Sequence, residues 1–281
     1  MPRAKPSSPV LNRSHPLAKG LRSAWLMEEG GGTNLRDHVG QNYGTLTGSP
    51  SWINAEYGSA LQFFDTGEYV DVPNNPYSIA ELQAHGGTWA AWFKVPSVGT
   101  SNGDEGIVGG AGAGTHSEYS AGGLYLQQGA GGAVPKAAIH DGSYQYLAAA
   151  EADWFVAGQW TSVVFTVDVG GALTLYAHGR SVDTGTATMG SLAFEPAVFY
   201  LGREPNGNDL VGSIAYASFS HGAWTANQVR QFHADPFAMF RPRRSPARFF
   251  VPSVAAEGNL LQRSGMDGLS RRLRFTGGID G

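Results

Sequence analysis

The chain has 281 residues; 42% are hydrophobic, 15% are charged, 40 are glycine and none is cysteine. That length accommodates one large domain with extensions; the missing cysteine excludes disulfides, thiolate metal sites and a cysteine nucleophile, and no run approaches the ~20 apolar residues that span a bilayer. The net charge of −4 averages three unlike segments: residues 1–22 carry five basic side chains and no acid, +5; residues 23–235 carry six basic and twenty acidic ones, −14; residues 236–281 carry eight arginines against Glu257, Asp267 and Asp280, +5.

Residues 1–20 read as a basic arm with four prolines, extended or wrapped on another surface, and they show no apolar segment of a secretory signal, so synthesis in the cytoplasm is expected. Residues 21–28 read as a strand that Gly30, Gly31 and Gly32 break, and residues 37–44 as a turn-rich loop. Residues 60–64 and 68–72 read as strands, the second alternating with period 2. Residues 87–95 form an aromatic-rich strand. The glycine-dense tract 99–133 is expected as a long loop with one strand at 124–127. Residues 136–140 and 144–148 flank Asp141-Gly142, a hairpin signal. Residues 160–169 are the clearest strand; Gly170-Gly171 turns it into 172–177, and His178-Gly179 turns that into 180–183. Strands follow at 198–201 and 210–219. One short helix begins at Thr225, where Gln228 completes a capping box; Val229 and Phe232 share its face, and Pro236 ends it. Prolines then recur through 237–252 and forbid a regular helix.

Many short strands with turns between them predict an all-β fold, a sandwich or a jelly roll, with one short helix and extended N- and C-terminal arms. The arm is assigned to 1–20, the sandwich to 21–235 and an Arg/Phe/Pro-rich tail to 236–281. Trp25, Trp89 and Trp92 read as core between the two sheets.

Five stretches, in this order and spacing, resemble one family: 21–31 (LRSAWLMEEGG), 58–73 (GSALQFFDTGEYVDVP), 88–93 (TWAAWF), 160–179 (WTSVVFTVDVGGALTLYAHG) and 201–232, which ends GSIAYASFSHGAWTANQVRQF. The chain resembles the laminin G-like (LamG), concanavalin A-like jelly-roll family, in the divergent form common in bacterial and bacteriophage proteins, and the resemblance implies a two-sheet antiparallel jelly-roll sandwich. It departs from the family pattern at Ala215, where relatives often carry Asp, and at His178-Gly179, where they often carry Asn-Gly. The flanks 15–21 (HPLAKGL) and 235–242 (DPFAMFRP) resemble phage-encoded single-domain members. The resemblance implies a non-catalytic virion structural protein, a decoration, head- or tail-associated subunit located in the virion. In that role the sandwich is displayed and binds host-surface glycans, the arms fasten it to capsid or tail subunits, and the particle holds it as a homo-oligomer. The alternative is a free carbohydrate-binding lectin, calcium-dependent or not; a glycoside hydrolase relative is more remote.

The residues themselves suggest candidate sites. Tyr119, Tyr125, Tyr144 and Tyr146 each offer a stacking face and a hydroxyl to a sugar, the competing reading being edge packing. Asp37, Asp65 and Asp71 lie in or near turns, where oxygens can converge on calcium; turn capping is the commoner use of such residues. No cofactor is otherwise implied. The tail residues Phe240, Arg241, Arg243, Arg244, Arg248, Phe249 and Phe250 mix cations with aromatic anchors, a pattern suited to docking on an acidic protein surface. It would also suit nucleic acid, but the acidic body argues against that partner. Glu151 and Asp153 share one strand face, but the third acid of a glycosidase E-x-D-x-x-E motif is replaced by Val156, so no catalytic residue is assigned.

Overall fold

The computed structural model describes residues 3–64, 67–96, 103–112, 121–129, 132–150, 155–192, 194–205 and 207–241. In chain order its strands are β1 (Leu21–Trp25), β2 (Asn34–Leu35), β3 (Gly44–Thr47), β4 (Ser51–Ala55), β5 (Gly58–Phe63), β6 (Tyr69–Val72), β7 (Gly87–Lys94) and β8 (Gly103–Gly112). They continue as β9 (Gly123–Gly129), β10 (Gly132–His140), β11 (Tyr144–Ala148), β12 (Thr161–Val167), β13 (Ala172–Ala177), β14 (Arg180–Thr186), β15 (Pro196–Leu201) and β16 (Gly212–His221). Helix α1 (Ile79–His85) precedes β7 and α2 (Ala226–Ala234) follows β16.

Among the described residues the strands form two antiparallel sheets. The first runs β14–β13–β12–β7–β16–β5–β4, with β1 also paired to β16; the second runs β11–β10–β9–β8–β15–β6–β3–β2. The expected all-β sandwich is therefore present. No helix among the described residues is long and apolar enough to cross a membrane.

The apolar sequence of β7 explains the layering. Trp89, Ala91 and Phe93 enter the core between the sheets, whereas Ala90 and Trp92 face the opposite way. β12 does the same, with Val163 and Phe165 inward and Val164 outward. A strand apolar on both faces must be covered on both. The inner core stacks Trp25 on Phe199 at 5.5 Å and Trp89 on Phe165 at 5.3 Å between ring centres. Trp92, expected in that core, instead belongs to a second one on the outer face of the first sheet. Its cover is Val229 and Phe232 of α2, Leu17, and Phe237, Met239 and Phe240, all wholly buried.

This second core corrects the expected arms. Val10 N–H donates to the Phe240 carbonyl at 3.1 Å, Asn12 N–H to that of Met239 at 2.8 Å, and Lys5 N–H to that of Tyr57 at 2.8 Å. The Lys5 ammonium is buried, donates to the carbonyls of Met27 and Ser59, and lies 5.4 Å from the Phe237 ring centre; burial pushes its pKa down to about 7. Residues 3–20 and 237–241 are therefore straps on their own sandwich. Phe240 is not a docking anchor, because its ring fills this core beside Tyr216 and His38. Arg241 is likewise engaged within the chain, reaching both carboxylate oxygens of Asp235 at 3.2 and 3.1 Å. The boundary expected after residue 235 moves accordingly, and the chain divides at Arg243/Arg244. Arg243, Arg244, Arg248, Phe249 and Phe250 lie outside the described residues.

His38 gives this region a pH dependence. Its side chain is 3% exposed, with Nε2 3.3 Å from Glu28 Oε1. Burial, assisted by the nearby Arg36 cation, lowers its pKa from 6.5 to about 4. Between those values the unfolded chain holds a proton that the folded chain does not, so stability is present above pH 6.5 and declines as pH falls toward 4. Melting curves from pH 7 to 4 should show that decline, and His38→Gln should flatten it; parallel profiles for the two proteins would contradict the assignment.

Helix α2 begins as expected, with Thr225 Oγ1 accepting from Gln228 N–H at 3.3 Å and Gln228 Oε1 accepting from Thr225 N–H at 3.0 Å. Helix α1 was not expected, although Ser78 and Glu81 form the same reciprocal box. The tract 99–133 is also corrected: β8, β9 and the start of β10 occupy most of its described part. Its glycines allow close approach rather than a loop. A Cβ on Gly106 would sit 2.2 Å from the Arg203 carbonyl carbon, and one on Gly122 2.6 Å from the Trp89 ring.

The β12–β13 turn depends on a left-handed glycine. Asp168 Oδ1 accepts from Gly170 N–H at 2.8 Å and Ala172 N–H at 2.9 Å, and Gly171 has φ +87°. A Cβ on Gly171 would lie 2.0 Å from the Ala187 carbonyl oxygen. Gly171→Ala should therefore destabilise the domain by more than ~1 kcal/mol, read as a lower urea midpoint; an unchanged midpoint would contradict this account of the turn.

Candidate functional site

The outward face of the second sheet gathers the most distinctive chemistry. The β10–β11 hairpin sets it up. Asp141-Gly142-Ser143 closes the turn, with Gly142 at φ +106°, and the register pairs His140 with Tyr144, Ala138 with Tyr146 and Lys136 with Ala148. Residues directly opposite share a face. Ala137, Ile139 and Leu147 enter the inner core, so Lys136, His140, Tyr144 and Tyr146 lie on the other side.

There the Tyr144 and Tyr146 rings stack at 5.5 Å and 20°, and Tyr146 is 44% exposed. His140 meets Tyr144 edge-on at 4.7 Å and Phe194 at 4.6 Å. The Lys136 ammonium sits 4.4 Å from the Tyr146 ring centre and pairs with Asp104. The cluster therefore offers an aromatic platform beside a fixed cation and carboxylate. Such a surface can stack the apolar face of a sugar ring while hydrogen-bonding its hydroxyls.

A second aromatic group shares this outward face. Tyr69 and Tyr200 meet edge-on at 5.4 Å, and the Arg203 guanidinium lies 4.3 Å from the Tyr69 ring centre. Asp71 pairs in register with Tyr200, and burial, with the Asp71 carboxylate, pushes the Tyr200 hydroxyl pKa up. The register runs Asp71–Tyr200–Gly109–Gly123–Ala138–Tyr146 across the sheet, so small residues separate the two tyrosine groups.

Of the four tyrosines marked in the sequence, Tyr144 and Tyr146 come together on this face. Tyr125 is fully buried and packs with Ala138 and Tyr144, so it buttresses the platform and presents no stacking surface. Tyr119 lies outside the described residues. Lys136, His140, Phe194, Tyr69 and Tyr200 were not marked, although the Asp141-Gly142 turn fixes a register that places Lys136 and His140 beside the tyrosines.

Of the three aspartates expected near calcium, Asp37 and Asp71 lie among the described residues. Asp37 is 3% exposed, and its Oδ1 accepts from Ala24 N–H at 3.0 Å and Val39 N–H at 2.9 Å while Oδ2 accepts from Asn42 N–H at 3.1 Å. It caps a buried turn, and those donors occupy the lone pairs a cation would need. Asp71 faces outward beside Tyr200, and Asp65 lies outside the described residues. Among the described residues no group of three or more His, Cys, Asp or Glu side chains is placed to hold a metal ion. Glu151 and Asp153 also lie outside the described residues.

A laminin G family model, described as the concanavalin A-like lectin/glucanases superfamily, matches residues 64–230. No curated protein matches the chain by sequence. Among solved structures, the chain is similar to the botulinum neurotoxin serotype D binding domain: TM-score 0.57, 14% identity, 76% of this chain and 51% of that one. It is similar to Trypanosoma rangeli sialidase in complex with sialic acid: TM-score 0.57, 15% identity, 79% of this chain and 34% of that one. It is also similar to domain 4 of AbnA, an extracellular arabinanase from Geobacillus stearothermophilus, in complex with arabinotriose: TM-score 0.54, 19% identity, 76% of this chain and 98% of that domain. At these identities the likeness is one of fold, and the chain spans about half the length of the toxin binding domain.

Proposed function

The chain belongs to the concanavalin A-like lectin/glucanase superfamily, and from that premise we propose that it is a non-catalytic recognition module that binds an oligosaccharide on the outward face of its second sheet. The stacked Tyr144–Tyr146 pair, with Tyr146 half-exposed and Lys136 and Asp104 beside it, carries this reading. Domain 4 of the arabinanase, almost wholly covered by the match, was solved with arabinotriose bound, which supports a sugar as the ligand for a domain of this fold.

A glycan array probed with the full chain, with and without a chelator, tests the reading. Retention of one glycan class, unchanged by the chelator, is the expected result. Retention lost with the chelator would make the calcium-dependent lectin the better description, and no retention under either condition would reject glycan binding.

The assembly role falls to residues 242–281. They hold seven arginines together with Phe249 and Phe250, whereas the residues before them are engaged within the chain. On this reading the sandwich is displayed on a phage particle and the terminal segment fastens it to a virion subunit. Deleting 242–281 should release the protein from particles without unfolding the sandwich. A truncated chain that still co-purifies with particles would contradict it.

A further inference from the structure

We propose that the recess at the β2–β3 edge of the second sheet is a further binding site, for one neutral pyranose ring of a glycan. The recess measures about 450 Å³, within the range of small-molecule sites, and is lined by Glu29, Asn34, Leu35, Arg36 and Tyr43. In the strand order β3 stands six places from β11, roughly 29 Å at the usual strand spacing. The recess is therefore separate from the Tyr144–Tyr146 platform, and the proposal does not rest on that platform.

The pairing of the two edge strands brings its side chains together. Asn34 pairs with Thr45 and Leu35 with Gly44. Burial alternates along both segments: Leu35, Asp37 and Gly44 are buried, whereas Asn34, Arg36, Tyr43 and Thr45 are exposed. Leu35 belongs to the inner core, so the four exposed residues share the outward face, with Arg36 and Tyr43 flanking the Leu35–Gly44 pair on one side. Glu29 is tied to this group directly, because its Oε1 accepts from Arg36 N–H at 2.7 Å. Each polar or aromatic member is open to solvent: Glu29, Asn34 and Arg36 are exposed, and Tyr43 is 53% exposed. The backbone beside Tyr43 is fixed. Asn42 N–H donates to Asp37 Oδ2 at 3.1 Å, and the Asn42 carbonyl accepts from Trp25 Nε1 at 2.8 Å.

The mixture of groups selects the ligand. The Tyr43 ring offers an apolar stacking face that ends in a hydroxyl. Arg36 forms no salt bridge among the described residues, so its guanidinium fork can donate to a ligand. The Glu29 carboxylate has accepting capacity beyond its one bond to Arg36 N–H, and the Asn34 amide both donates and accepts. An anionic ligand would meet Glu29, and a cationic one would meet Arg36. A neutral ring whose neighbouring hydroxyls each donate and accept satisfies both, while its C–H face covers Tyr43.

The test is titration of the isotope-labelled full chain with the methyl pyranosides of glucose, galactose, mannose and N-acetylglucosamine, followed by amide chemical shifts, with sodium glucuronate as the charged control. At least one neutral glycoside should give saturable shifts centred on Asn34, Arg36 and Tyr43. Tyr43→Ala and Arg36→Gln should each weaken it about tenfold or more, through the lost stacking face and the lost charge-assisted donor. Tyr43→Ala should melt like wild type, because more than half of its side chain is already in solvent, and Tyr146→Ala should leave these shifts unchanged. The proposal fails if none of the four glycosides moves these amides, or if Tyr43→Ala binds as tightly as wild type. It also fails if glucuronate binds more tightly than every neutral glycoside, or if Tyr146→Ala abolishes the shifts. Because the platform is read through Tyr146→Ala and the recess through Tyr43→Ala, either site can fail without the other.

Discussion

A chain ending at Asp235 is expected to lose its stable fold, whereas one ending at Arg241 keeps it. The six residues between them include Phe237, Met239 and Phe240, each wholly buried on the outer face of the first sheet. Truncating one buried Phe to Ala typically costs about 3–5 kcal/mol, and a whole domain is stable by about 5–15 kcal/mol. Deleting three such side chains therefore consumes most of that margin. The deletion also removes the carbonyls of Met239 and Phe240 that hold Val10 and Asn12, so the N-terminal strap loses its seat. Phe240→Ala alone should lower the melting temperature by upward of about 6 °C. The comparison is thermal unfolding of residues 1–235, 1–241 and the full chain. Chains 1–235 and 1–241 melting within about 2 °C of each other would contradict the packing described.

The second large effect is on binding. Tyr146→Ala should weaken the glycan selected on an array by about ten- to a hundredfold, because burying an aromatic side chain against a ligand is worth about 1.5–3 kcal/mol. The fold should not suffer, since Tyr146 is 44% exposed and its register partner is Ala138. Tyr144→Ala should act partly through Tyr146, whose ring it stacks, and partly by uncovering Tyr125 and Ala138. A Tyr146→Ala protein with wild-type affinity and an unchanged melting temperature would move the site off this hairpin.

Much of this architecture was legible in residue patterns. The Asp141-Gly142 and Gly170-Gly171 turns fall where expected, and the Thr225–Gln228 box starts α2. The equivalent Ser78–Glu81 box carries little signal in the sequence because its helix is seven residues long and buries only Ile79 and Leu82, too few for a helical period to emerge. The glycine tract misled for a different reason. Glycine is a poor strand former, yet Gly106 and Gly122 lie where the Arg203 backbone and the Trp89 ring leave no room for a Cβ, and such close approaches are long-range facts.

The straps hold the more general lesson. Phe237, Met239 and Phe240 look locally like anchors for another protein, since proline denies them a helix and nothing nearby names a partner. The cue lay elsewhere, in β7 and β12, whose outward residues Ala90, Trp92 and Val164 are as apolar as the inward ones. A sheet apolar on both faces needs a second cover, and the chain's own ends supply it. For the candidate site, the tyrosines could be marked by type, and the hairpin register could have added Lys136 and His140. That Tyr125 turns under the platform while Tyr146 stays exposed depends on packing across three strands.

The most direct measurement of the glycan face is amide chemical-shift mapping of the 1–241 chain titrated with the glycan an array selects. Perturbations centred on the β10–β11 hairpin, from Lys136 through Tyr146, are the expected result. Perturbations centred on any other part of the domain, or spread without a centre, would contradict the placement of the glycan site on the outward face of the second sheet.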